Sequence, residues 1–387
     1  MTRSTFARVD LDALEHNFHV LTRYLAEEPP TLAGPDPEGA RRTPPAIIAV
    51  VKANAYGHGA GAVASALERA GATMLACADI EEGVALRRAG VRAGILVFGA
   101  LSVSDLDGVF DHHLTPSVNT PAAARALATC AERHGTRLRC HLKIDTGMHR
   151  LGFRHDNLRR TLPELLASPH LQIDAVYTHF ATAEDAESPV FDEQRRHFDQ
   201  ATATLGALGF VPPARHAANS AAMLRDSRTW YDAVRPGLLL YGIVPPPLAS
   251  TLDLRPVMSL RSRIVAVKGV RAGEGVGYGW RFRPDEPATI AVVPAGYADG
   301  LDRRLANRGS VLVRGRRAPI VGSVCMDMIM ADVTSLDAAP GDEVVILGAQ
   351  GDGTLQRIDA REMAAWVGTI PWEIVCRIGT RIERVYA

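Results

Sequence analysis

The chain has 387 residues, and 43 Lys plus Arg balance 43 Asp plus Glu, so the formal charge is zero with no basic stripe to recruit nucleic acid. No apolar run reaches the roughly 18 to 20 residues of a membrane-spanning helix, and the N-terminus lacks a signal peptide's apolar core, so no membrane association is expected. The five cysteines, at 77, 130, 140, 325 and 376, include no C-x-x-C pair; this argues against a disulfide framework and for a reduced, cytoplasmic protein.

In chain order, Phe6 to Asp10 alternates apolar and polar and reads as a strand. The Pro-, Gly- and charge-rich stretch from Pro29 to Thr43 reads as a surface loop without chemistry. A rhythm follows. Apolar runs end near Lys52, Asp79, Phe98, Ser117, Ile144, His179, Ala218 and Leu240. Helical patterns lie between most of them, at Gly61–Ala70, Ile80–Ala89, Thr120–Arg133, Asn157–Ala167 and Pro189–Leu208, with the segment after Phe98 the weakest. Eight strand–helix units predict a (β/α)₈ TIM-like barrel, with a doubly wound open sheet as the alternative. Past Ser250 the helical patterns thin out. Val257–Val267, Thr289–Pro294, Val311–Val313, Ile329–Val333 and Val344–Leu347 read as strands of a mainly antiparallel β-domain. The expected organisation is an α/β barrel over residues 11–250, with a Pro-rich loop at 29–45, then a β-domain over 251–387 joined by the N-terminal strand 1–10.

The strand Ala46–Val51 has no polar alternation, as in a parallel sheet covered on both faces, yet it runs into Lys52. A lysine closing a strand commonly just snorkels to water. At the carboxyl end of a barrel strand, however, it sits where barrel chemistry sits, and burial can turn it into a Schiff-base nucleophile. Other strand ends also carry polar groups: Lys143 and Asp145 with Arg150 just beyond, His179, Asn219 with Ser220, and Arg235. Asn219-Ser220 reads as a helix cap and Arg235-Pro236-Gly237-Leu238 as a turn. Placed after the seventh and eighth strands, they are also suited to cradle a phosphate. A lysine beside a phosphate cradle is the pair that pyridoxal phosphate requires.

The strings VVKANAYGHG, KIDTGMHRLGF, YTHFATAE, HAANSAA, VRPGLLLYG, VGYGW, GYADG and VGSVCMDM closely resemble, in this order, those of the alanine racemase family. The resemblance runs from about Phe6 to Cys376. It implies a pyridoxal phosphate enzyme that interconverts L- and D-alanine by a two-base mechanism and supplies D-alanine for peptidoglycan, working as a homodimer with shared active sites. Carried over by position, Lys52 would hold the cofactor. Tyr56 and Ser220, with Asn219, Gly237 and Leu238, would surround its phosphate. His179 would pack near its ring, and Arg235 would face the ring nitrogen. Arg150 would take the substrate carboxylate, and Lys143 matches the lysine that is often carbamylated. Tyr278 would be the second base, supplied by the partner subunit. Met326 and Asp327 would reach across the interface, and Tyr297 would line the entrance. No metal is expected. Trp372 stands where the family usually has a tyrosine, and Glu184 where an aspartate is common at the entrance. A serine or broad-specificity racemase, a related decarboxylase and a non-catalytic pyridoxal phosphate-binding protein are the competing readings.

Overall fold

A computed structural model describes residues 4–27, 43–99, 106–351 and 355–387. The expected loop lies almost wholly outside these residues, as do residues 100–105 of the segment that follows Phe98, whose later part holds the short helix Asp107–Asp111. The first strand, β1 (Phe6–Val9), leads into a long helix, Leu11–Glu27. Then come β2 (Ala46–Val50), β3 (Met74–Cys77), β4 (Gly94–Val97), β5 (Thr115–Val118), β6 (Leu138–Asp145), a two-residue β7 (Phe153–Arg154), β8 (Leu171–Tyr177), β9 (Arg215–Asn219) and β10 (Ala233–Arg235). All but β1 and β7 pair side by side and in parallel, and β10 closes back on β2. This is an eight-stranded closed barrel, not an open sheet.

The barrel strands are short apolar runs because both faces are covered. Ile48, Ala49, Val50, Leu75, Ala76, Ile95 and Leu96 are all buried. Two of the intervening helices begin where a short polar side chain accepts one of the first free amides. Asp79 caps Glu82, and Thr120 caps Ala123 just ahead of Pro121. The expected helix over 157–167 is two short ones, Leu158–Thr161 and Pro163–Leu166, since Pro163 restarts the chain. The eighth apolar run does not continue as a strand to Leu240. It stops at Arg235, because Pro236 has no N–H for the ladder, and Leu238–Tyr241 coils into a fully buried 3₁₀ turn.

The second unit comprises β11 (Met258–Arg263), β12 (Ala266–Val270), β13 (Ala288–Val293), β14 (Ser310–Val313), β15 (Arg316–Pro319), β16 (Ile329–Asp332), β17 (Glu343–Gln350), β18 (Gln356–Ile358) and β19 (Glu383–Tyr386). The run Val257–Val267 is not one strand. At Ile264 and Val265 the chain changes partners, from Asp342 to Val292, and so passes from one sheet into another. β1 lies between β11, antiparallel, and β19, parallel. The start of the chain is thus an inner strand of the second unit's larger sheet.

Asn17 ties the two units together. Its buried amide donates to the carbonyls of Leu240 (2.9 Å) and Arg255 (2.7 Å) and accepts from the Arg255 amide (2.7 Å). Asn17→Ala leaves these groups without partners in a dry site. It should cost on the order of 3 kcal/mol, read as a lower denaturant midpoint at unchanged secondary structure.

Candidate active site

The carboxyl ends of the barrel strands open on a cavity of about 770 Å³. Lys52, Lys143, Arg150 and Arg235 line it, with Glu184 as the one carboxylate among its described lining residues. Tyr56, His179, Asn219, Ser220, Gly237 and Leu238 line it too. The structure therefore brings together in one chain the barrel residues singled out from the sequence, except Asp145, whose carboxylate instead accepts from the amides of Gly147, Met148 and His149.

The run AIIAVVKANAYGHG puts Lys52 there by an unusual device. Ala53, Asn54, Ala55 and Tyr56 all adopt φ between 52° and 54°. Four consecutive left-handed, non-glycine residues cost about 1–2 kcal/mol each, so the surroundings must hold them. The Glu82 carboxylate accepts from the Ala53 (2.6 Å) and Ala78 (2.7 Å) amides. The Asn54 side chain accepts from Ala60 (2.8 Å). The Tyr56 ring packs on Tyr241 at 5.0 Å. The turn reverses tightly enough that Lys52 and Tyr56, at its two ends, face the same cavity.

A small anion has a cradle opposite. The Ser220 hydroxyl accepts from the Gly237 amide (2.9 Å), which joins the ends of β9 and β10. The Asn219 side chain accepts from Ala222 as a helix cap (2.9 Å), so it shapes the cradle. A Cβ at Gly237 would lie 2.3 Å from the Tyr56 hydroxyl, so only glycine leaves the two that close. This polar cradle, the three cations Lys143, Arg150 and Arg235, and the half-buried Lys52 amine fit a phosphate-bearing aldehyde such as pyridoxal phosphate.

Electrostatics follow from burial. Burial, and then the Arg150 guanidinium, hold the Lys52 ammonium below the usual lysine range. The same two causes bring Lys143 down to about 8. Arg235 is fully enclosed, and burial lowers it to about 10. Among the described residues it has no carboxylate partner, and its donors go to neutral acceptors. It donates to His216 Nδ1 (2.8 Å), the Thr178 and Ala217 carbonyls (2.8 Å each) and His179 Nδ1 (3.2 Å). Burial and then Arg235 drive both histidines far below the ordinary imidazole range, so both are neutral. A guanidinium only donates. His216 Nδ1 is therefore the lone-pair nitrogen, and its Nε2 hydrogen points at His141 Nδ1, 3.0 Å away.

Several residues here escaped the sequence reading. His141, His216 and Tyr177 form a buried wall behind Arg235. Tyr177 stacks on His216 at 4.8 Å and donates to or accepts from Ser117 at 2.7 Å. A signal existed, since His141, Lys143 and Asp145 alternate along β6 and so share its inward face. Gln194 bridges two site loops, donating to the His179 carbonyl (3.0 Å) and the Thr146 hydroxyl (3.3 Å) and accepting from the Ala181 amide (2.8 Å). Trp372 and Ile370, from the far end of the chain, also line the cavity.

Tyr278, Tyr297, Met326 and Asp327 do not line the cavity within one chain. Tyr278 is 77% exposed, Met326 53% and Tyr297 41%, while Asp327 pairs with Arg381 at 2.6 Å. They lie near one another on the second unit. The Tyr278 carbonyl accepts from Ser323, and the Tyr297 and Ala298 amides donate to the Cys325 and Met326 carbonyls.

A closed barrel whose strand ends carry a half-buried lysine beside a phosphate cradle, coupled to a mainly antiparallel domain, defines a pyridoxal phosphate enzyme of the barrel type. Residues 38–245 match the model of the alanine racemase N-terminal domain and residues 257–386 that of the C-terminal domain. The chain belongs to the alanine racemase family. An alanine racemase of Sorangium cellulosum (strain So ce56) is 43% identical, covering 99% of each chain. The alanine racemase structure from Bacillus anthracis with bound L-Ala-P is 35% identical with a TM-score of 0.87, covering 100% of this chain and 95% of the other. That from Bartonella henselae with covalently bound pyridoxal phosphate is 29% identical with a TM-score of 0.84, covering 99% of both. The activity is thus that of a pyridoxal phosphate-dependent isomerase acting on alanine.

Gly237→Ala should raise the dissociation constant for pyridoxal phosphate at least tenfold, or about 1.4 kcal/mol, with little change in the thermal midpoint of the cofactor-free protein. Titration of that protein with pyridoxal phosphate, followed by absorbance, checks it.

Proposed function

We propose that this chain racemises alanine with two bases, Lys52 of its own barrel and Tyr278 of a second copy. The observation that carries the reading is the convergence of Lys52, Arg150, Arg235 and the Ser220–Gly237 cradle on one cavity, while Tyr278 stands exposed on the other unit. The cofactor is held by Lys52 and its phosphate by Tyr56, Ser220, Gly237 and Leu238. Once bound, it supplies the electron sink that makes the substrate Cα proton removable.

The protein's residues do the rest. Arg150 holds the substrate carboxylate and so fixes which faces of Cα the two bases meet. One base takes the proton from one face and the other delivers a proton to the opposite face, so no proton is consumed. A lysine amine kept low by burial is a competent base near neutral pH. Arg235, a lasting cation lining the cavity, would hold the cofactor's ring nitrogen and keep it unprotonated, which would limit side reactions. Trp372 and Leu238 help close the cavity, and Tyr297 and Met326 of the second copy complete its entrance.

The division of labour places the cofactor on the barrel unit, 11–250, and the distant base on 251–387 with its N-terminal strand 1–10. Support for a homodimer comes from the exposed side chains of Tyr278, Trp280, Tyr297, Met326 and Met328, an apolar patch that a lone chain would leave in water. The five cysteines are free, in keeping with a cytoplasmic enzyme that feeds D-alanine into cell-wall precursors. No helix among the described residues is long and apolar enough to cross a membrane.

Lys143 is proposed to be carbamylated. It is buried near two guanidiniums, and no ion pair to it is found among the described residues. A carbamate would replace a repelling ammonium with an anion that orients Arg150. The reaction needs the free amine, so with its pKa near 8 occupancy should rise from pH 7 to pH 9. NMR with isotopically labelled bicarbonate should show one carbamate carbon that is missing in Lys143→Ala.

Lys52→Ala and Tyr278→Phe should each be nearly inactive alone. Co-refolded at equal amounts, about half the dimers should be mixed and roughly a quarter of all sites should carry both bases. No activity above the separate variants, with mixed dimers confirmed by mass, would exclude a shared site.

A further inference from the structure

On the outside of the barrel, two helices bring an aspartate, a cysteine and a histidine together. Asp107 opens the short helix Asp107–Asp111; Cys130 and His134 lie at the end of the helix Pro121–Arg133. Asp107 Oδ1 is 3.0 Å from His134 Nε2 and 3.2 Å from Cys130 Sγ, and the three candidate ligand atoms all lie within 4.8 Å of one another. Cys130 and His134 are four residues apart, one helical turn, and so share a face. Phe110 stacks flat on the His134 ring, with centroids 4.4 Å apart and planes 5° apart, and fixes its tilt.

These spacings resemble a coordination shell. Around a tetrahedral zinc ion, with sulfur at about 2.3 Å and nitrogen or oxygen near 2.0–2.2 Å, neighbouring ligand atoms are roughly 3.3–3.5 Å apart. Reaching that arrangement takes small adjustments of side chains already in place. The Arg133 guanidinium now supplies the positive charge there, 3.2 Å from Asp107 Oδ1 and 3.1 Å from Cys130 Sγ. Its side chain is 63% exposed, so it can swing into water.

We propose that Asp107, Cys130 and His134 bind one borderline-soft divalent cation of the zinc type, with solvent as a fourth ligand and Arg133 as the cation that it displaces. On binding, the Cys130 S–H bond breaks, its proton goes to solvent and a sulfur–metal bond forms. His134 gives the Nε2 lone pair and keeps its hydrogen on Nδ1, and Arg133 leaves with its charge. The ion would staple the helix after β4 to the helix after β5, remote from the reacting groups. This site contrasts with the expectation that the chain carries no metal.

The test uses untagged, cofactor-loaded enzyme freed of metal by a chelator and titrated with Co²⁺. The expected result is one ion per chain, with intense tetrahedral ligand-field bands at the red end of the visible spectrum, where a pyridoxal chromophore does not absorb, and displacement by Zn²⁺. Cys130→Ser and His134→Ala should each weaken binding at least tenfold. Since His134 is a partly exposed helix-end residue, its variant keeps the fold even where the buried cysteine change does not. Arg133→Ala should bind at least as tightly as the parent. Absence of the spectrum, its survival in His134→Ala, or weaker binding in Arg133→Ala would overturn the proposal.

Discussion

The constraint that organises this molecule is a surplus of positive charge in a buried place. Lys52, Lys143, Arg150 and Arg235 face one cavity, and Glu184 is its one acidic lining residue. Lys143 and Arg235 are buried and Lys52 half-buried, so water screens these three less than it would at the surface, whereas Arg150 stands exposed. Burial first, and the neighbouring cations second, lower the proton affinities of both lysines and keep His179 and His216 neutral. In the wall behind Arg235, imidazole and carbonyl acceptors carry its hydrogen bonds without adding a counter-charge. Pyridoxal phosphate and an amino acid carry the kind of charge that this cavity lacks, in a phosphate and a carboxylate. In the proposed function, cofactor and substrate recognition would be one electrostatic arrangement.

Placing the lysine in that field carries a backbone cost. The left-handed turn from Ala53 to Tyr56 is strained at every residue, and Glu82, Asn54 and Tyr241 hold it. Strain of this kind persists where the surroundings over-determine the conformation. Here it lets two side chains at either end of a tight reversal face the same cavity. Small residues at 53 and 55 keep the Cβ crowding tolerable, and asparagine at 54 is among the side chains that accept this conformation most readily.

Much of the barrel was legible in the sequence because its signals are local. Unalternating apolar runs marked the strands, and Asp79 and Thr120 marked the helix starts. The end of β10 was obscured because Leu238–Tyr241 is as apolar as a strand but coils into a turn once Pro236 interrupts the ladder. The left-handed turn was invisible because none of its residues is glycine. Lys52, Arg235 and the cradle could be argued from strand ends alone, whereas Tyr278 could not. In one chain it is an exposed aromatic between two glycines, and only the family resemblance gives it a role. His141 and His216 were missed although period-two alternation pointed inward. The Asp107–Cys130–His134 cluster depends on two helices meeting, which no local pattern encodes.

The position of β1 has a bearing on how the molecule is made. Phe6–Val9 lies between β11 and β19, so this strand finds both neighbours only after the whole barrel has intervened in the chain. Trp372 and Ile370 likewise reach the cavity only after the whole barrel has been synthesised. Contacts of such sequence separation close late and slowly. A barrel that folds ahead of the second unit therefore keeps β1 unpaired and its cavity without Ile370 and Trp372 until those later segments dock.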